Sequence, residues 1–126
     1  MDWATTWDGS APLPLPGGGA LRLDGAERFE MPVRVHARRG GERIRLPGRD
    51  HHHALKQVLQ DRGVPPWERE RLPLLSDADG ALLAAGDRVL SGTLQAWLDA
   101  RGARLDWDDG TRRTADHGSA LRGQAG

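Results

Sequence analysis

Short alternating runs, broken every few residues by glycine or proline, dominate the hydrophobic pattern of this chain. Residues 31–37 (MPVRVHA) place Val33 and Val35 on one face and Arg34 and His36 on the other, the period-two signature of a half-buried strand. After a turn at Gly40-Gly41, residues 42–46 (ERIRL) repeat it, with Ile44 and Leu46 inward and Arg43 and Arg45 outward, so that two neighbouring strands would make one basic sheet surface. Leucines alternate on both sides of Gly17-Gly18-Gly19, which predicts a hairpin whose proline-rich first arm is confined to a sheet edge. The period then changes. Leu55, Val58 and Leu59 fall at helical spacing, with Asp50 as the expected cap and Gly63 as a left-handed stop. Pro65-Pro66 forbids continuation and starts one new turn, residues 67–71, which Pro73 ends. Leu74-Leu75, the turn SDADG (76–80) and ALLAAG (81–86) read as a buried hairpin. Ser91 caps a second helix striped by Leu94, Trp97 and Leu98 and stopped at Gly102, and ARLDW (103–107) reads as a closing strand.

These elements predict one α+β domain over residues 1–107: a small layered unit of short, mostly antiparallel strands with two short helices. From Asp108 onward the chain is apolar-poor, which predicts a disordered tail over 108–126. The full length of 126 residues suits one core rather than two, and 17 glycines with 8 prolines agree with many turns between short elements. There are no cysteines, which removes disulfide frameworks and thiolate metal sites and suits a reducing cytoplasm. The first ten residues (MDWATTWDGS) have neither the basic start nor the apolar centre of a signal peptide. No apolar run approaches the roughly 20 residues of a membrane span, so no membrane partner is expected.

Charge changes the picture more than composition does. The formal net charge is zero, yet residues 34–71 hold ten Lys or Arg against five Asp or Glu. A basic centre between acidic flanks is the footprint of a surface that meets an anion. The arginines fall on alternating strand positions and on the rim of a helix, acids are sparse between Arg43 and Arg49, and Gly40-Gly41 and Gly48 permit close backbone approach. A-form RNA is read largely through phosphates and 2′-hydroxyls by surfaces of this kind. A solvated charged face is the ordinary alternative.

Other candidate sites reduce to structure. His51-His52-His53, read as first-turn helical residues, point about 100° apart and cannot converge on one metal ion; a weak phosphate contact at the helix start is their functional reading. Gly17-Gly18-Gly19 precedes a strand and lacks the Lys-Ser/Thr of a phosphate loop. Asp77 and Asp79 lack the spacing and closing Glu of a calcium loop. Trp67, Trp97 and Trp107 sit among apolar neighbours and are expected in the core. Ser76 and Ser91 have turn and cap roles, and no carboxylate pair argues for acid–base chemistry. No catalytic residue, metal or cofactor site is expected in this chain.

Several blocks in order carry a resemblance: Val35-x-x-Arg38-Arg39-Gly40-Gly41-Glu42, Gly48-Arg49, Leu55-Lys56, Gly63-Val64-Pro65-Pro66-Trp67-x-Arg69, Pro73-Leu74-Leu75 and Leu83-Ala84-Ala85-Gly86. Together, over residues 7–107, they resemble the C-terminal domain of bacterial tRNA(Ile)-lysidine synthase. The resemblance implies a β-sandwich similar to a domain of the phenylalanine-tRNA synthetase β subunit. It also implies a role in holding tRNA, chiefly the acceptor stem. A separate N-terminal domain would use ATP, with magnesium, to activate the wobble cytidine, which lysine then attacks. The partners implied are tRNA and that catalytic domain. Matched position by position, Arg38, Arg39, Arg49 and Lys56 become expected phosphate contacts, while Arg69 has a competing structural job beside Trp67, pairing with a carboxylate. Arg43 and Arg45 join them from the strand pattern. Two departures stand out: Leu55-Lys56 occupies a place where the family often has two basic residues, and a triple histidine precedes it. The family's Ser-Gly-Gly-x-Asp-Ser ATP loop occurs nowhere in the chain, so no ligation is expected from this polypeptide alone. The alternative class is an interdomain or protein-interaction module without RNA binding of its own.

Overall fold

The structure is a computed structural model and describes residues 3–108. Its main sheet runs in the order β1 (Ala4–Trp7), β4 (Val33–His36), β7 (Leu74–Ser76), β8 (Leu82–Ala85) and β9 (Val89–Leu90). A second sheet orders β10 (Arg104–Asp108), β3 (Ala20–Asp24) and β2 (Leu13–Pro14). Strands β5 (Arg43–Arg45) and β6 (His52–Ala54) form a separate ribbon, and every pairing is antiparallel. Among the described residues there are three helices: α1 (Leu55–Asp61), the single turn α2 (Pro66–Arg69) and α3 (Gly92–Arg101). The layered α+β domain of short strands is the fold. Asp108 ends β10, and the rest of the expected tail lies outside the described residues.

Alternation places the core. Val33 and Val35 of β4, Leu21 and Leu23 of β3, and Leu105 and Trp107 of β10 are buried with Leu74 and Leu75 in one cluster. The helical stripes close it, Leu55, Val58 and Leu59 from α1 and Leu94 and Leu98 from α3. Burying such side chains contributes about 1.5–3 kcal/mol each against chain entropy. The glycine-rich hairpin forms as expected, Leu13 opposite Leu21, with β2 at the sheet edge where a missing proline N–H costs no ladder bond. Ser91 caps α3, its Oγ accepting from Leu94 N at 3.1 Å, and left-handed Gly102 ends the helix. Gly63, at φ 72°, turns the chain after α1 so that Val64 N donates back to Leu59 O at 3.0 Å.

Four expectations are corrected. Asp50 does not cap α1: the N-cap is Ala54, without a side-chain bond, because residues 52–54 belong to β6 and Leu55 N donates to Glu42 O at 2.9 Å. The histidines are therefore not a helical turn; His52 and His53 alternate across a strand, His52 exposed and His53 half-buried. Next, β4 and β5 do not form one basic sheet. Gly40 and Gly41, at φ 98° and 80°, lead the chain off the main sheet, so Arg34 lies on a different surface element from Arg43 and Arg45. Finally, Trp67 is 72% exposed while Trp107 is 1% and Trp97 is half-buried. No residue of the one-turn α2 is buried; Val64 before it and Leu72 after it fill the core instead. Strands β1, β6 and β9 carry no signal strong enough to have been read from the sequence.

Candidate nucleic-acid interface

The ribbon is the most basic element of the molecule. Its register sets Arg43 opposite Ala54, Ile44 opposite His53 and Arg45 opposite His52. Ile44 is fully buried, so the alternate residues Arg43, Arg45 and the cross-strand His52 share the outer face. Arg43 Nη2 donates to His52 O at 3.2 Å, which steadies one guanidinium along the ribbon. The connecting loop carries Arg49 beside Gly48 (φ 73°), where nothing lies within 4 Å of an added Cβ. Lys56 follows on the exposed side of the first turn of α1. Among the described residues, no carboxylate forms an ion pair with Arg43, Arg45, Arg49 or Lys56. Arg45 and Arg49 also edge a shallow cleft against the start of α3, with Gly92, Gln95 and Asp99 across it.

Arg38 and Arg39 differ from this group. Arg38 is half-buried, its Nε 3.8 Å from Glu42 Oε1. Glu42 accepts the backbone N–H of Arg39 at 2.7 Å and of Gly40 at 3.0 Å, clamping the Gly40-Gly41 turn. Burial pushes the Glu42 carboxyl up, but these backbone donors and the Arg38 charge outweigh it and hold the group below its ordinary value. Arg39 is exposed at the same turn. Arg69 has the structural job expected of it with a different partner: its Nε donates to Val64 O at 2.6 Å, a carbonyl rather than a carboxylate. The structure thus gathers Arg43, Arg45, Arg49 and Lys56 around the ribbon and α1, places Arg38 and Arg39 on the turn entering it, and sets Arg69 apart in α2. His52, expected as a weak phosphate contact at a helix start, instead joins the basic face from a strand, because HHA pairs with RIR and is too short to be recognised as a strand by itself. Among the described residues no three His, Asp or Glu side chains are grouped to hold a metal ion.

Fold and surface together define a small, all-antiparallel α+β domain with a basic two-stranded ribbon. A family model described as the TilS substrate C-terminal domain matches residues 33–107, and the chain belongs to that family. It is 57% identical over 108 residues to the tRNA(Ile)-lysidine synthase of Xanthomonas axonopodis pv. citri, a match covering 84% of this chain and 24% of that protein. Against the tRNA(Ile)-lysidine synthase of Xylella fastidiosa it is 50% identical over 111 residues, covering 84% of this chain and 25% of the relative. The chain therefore spans about a quarter of the length of the curated relatives it matches. A crystal structure of a TILS C-terminal domain superposes with a TM-score of 0.58 at 24% identity, covering 84% of this chain and 97% of that one, and shows the same fold. No helix of the described residues is long and apolar enough to cross a membrane.

Proposed function

We propose that this chain is the tRNA-holding domain of a tRNA(Ile)-lysidine synthase. It grips the tRNA, chiefly along the acceptor stem, while a separate N-terminal domain in the cytoplasm ligates lysine to the wobble cytidine. ATP and magnesium belong to that catalytic part, whose phosphate loop has no counterpart in this sequence. The observation that carries the reading is the outer face of the ribbon, Arg43 and Arg45 with His52, together with exposed Arg49 in its connecting loop; among the described residues no carboxylate forms an ion pair with these arginines. A double-stranded RNA backbone offers phosphates at a spacing that such a hairpin can follow without reading bases. The high identity to named tRNA(Ile)-lysidine synthases supports the substrate class.

Neutralising each phosphate releases counterions, so affinity for tRNA should fall log-linearly with salt, with a slope of about −0.7 to −0.9 per contact. Fluorescence anisotropy with labelled tRNA from about 50 to 300 mM salt measures this. No binding at the low end, or a flat dependence, refutes the reading.

A second reading has its own observation. An apolar cleft of about 420 Å³, lined by Phe29, Met31, Pro32, Leu83 and Trp97, opens on the surface, with Met31 68% exposed beside it. As an interdomain module the chain would dock there on the rest of the enzyme. It would then not bind tRNA alone, but would restore ligation when mixed with the separately produced N-terminal part.

A further inference from the structure

A second cleft lies away from the ribbon, between the glycine-rich β2–β3 turn, the end of β4 and the segment after α2. It measures about 290 Å³ and is lined by Trp3, Gly17, Gly18, Arg38, Arg71 and Trp107, among others. That is at or below the lower end of drug-sized ligand pockets, roughly 300–1,000 Å³, and suits one planar group rather than several. Two rings (Trp3, Trp107) and two guanidinium groups (Arg38, Arg71) share the lining with one carboxylate, Glu70; rings and guanidinium groups are what nucleobases stack on and phosphates pair with. Arg71 Nη2 reaches across to Gly17 O at 3.5 Å, so its guanidinium already spans the mouth.

We propose that this cleft takes one unpaired nucleotide of the bound RNA, its base against Trp3 and the Arg38 guanidinium and its phosphate against Arg71. The proposal rests on the RNA-binding reading and deepens it. A duplex cannot enter so small a space; a nucleotide splayed from a strand end or a bulge can. A free mononucleotide offers the same base and phosphate, and the test separates the two sources.

The experiment titrates the full chain with a blunt-ended RNA stem, with the same stem bearing a four-nucleotide single-stranded 3′ extension, and with AMP alone, following tryptophan quenching and anisotropy. The extension should tighten binding roughly tenfold, in line with the stacking of one base, and should quench tryptophan emission as the blunt stem does not. Trp3→Leu and, separately, Arg71→Ala should each abolish that gain while leaving blunt-stem affinity within about twofold; far-ultraviolet circular dichroism checks that both variants fold. Equal affinity for blunt and extended stems overturns the proposal, as does a gain that survives both substitutions. AMP displacing the extension at micromolar concentration overturns it in favour of a free-nucleotide site. Failure of both stems to bind instead sinks the RNA reading itself, a distinguishable result.

Discussion

Trp107 is 1% exposed and Trp67 72%, although the sequence reading expects both in the core. Trp107 alternates with Leu105 on a strand whose inner face meets the core, and the Arg88 guanidinium lies 5.4 Å from its ring centroid. Trp67 rides on a single helical turn that buries nothing. Trp107→Ala should therefore cost about 3–5 kcal/mol, and Trp67→Ala about 0.5 kcal/mol or less; urea melts of the two variants decide this. Glu42 makes a different prediction. Its folded carboxyl lies below the ordinary value of 4.5, so its stabilisation is fully present above that value and disappears as pH falls through the lower folded one. Replacing it by Gln should lower the melting temperature at pH 7, and the gap between wild type and variant should close on acidification below about 4.5. A gap that stays constant from pH 7 to pH 3 would mean that Glu42 does not hold the turn through its charge. Reversing Arg38 would bring two carboxylates together at that turn and mix stability into any RNA measurement.

At the scale of the element, the ribbon separates binding from folding. Arg45 and Arg49 are exposed and form no ion pair among the described residues, whereas Ile44 between the outer arginines is fully buried. Arg45→Glu with Arg49→Glu should weaken tRNA binding more than tenfold at low salt and reduce the salt slope by about two contacts' worth. The melting temperature should stay within a few degrees of wild type. A large loss of stability would instead assign these side chains to the fold. The ribbon was only half legible in the sequence. The RIR alternation identifies β5, but HHA is too short and too polar to announce a partner strand, and a polar Asp before an apolar stripe imitates a helix cap. The true start of α1 is decided by pairing: once His52–Ala54 is hydrogen-bonded to Arg43–Arg45, Asp50 is held outside the helix.

For the whole molecule, local signals sufficed wherever an element's burial follows from its own period. The inward valines of β4, the leucines of β3, the Ser91 cap with its Gly102 stop and the β7–β8 hairpin are all where their spacing places them. These are properties of a few consecutive residues, because side-chain direction repeats every two residues in a strand and every 3.6 in a helix. The charge excess of residues 34–71 is likewise a property of the sequence, and so are the ordered blocks that mark the family. Which strands become neighbours is not. Partner choice depends on where two glycines steer the chain and on hydrogen bonds between segments far apart in order, as when β1 joins β4 and β10 closes on β3. Tertiary structure alone therefore split the arginines between a sheet, a clamped turn, a ribbon and a one-turn helix. It also exposed one tryptophan while burying another, and it brought Trp3, Arg38, Arg71 and Trp107 around a single cleft. Period and composition settle which side of an element is wet; only the packing of elements settles what the wet sides face.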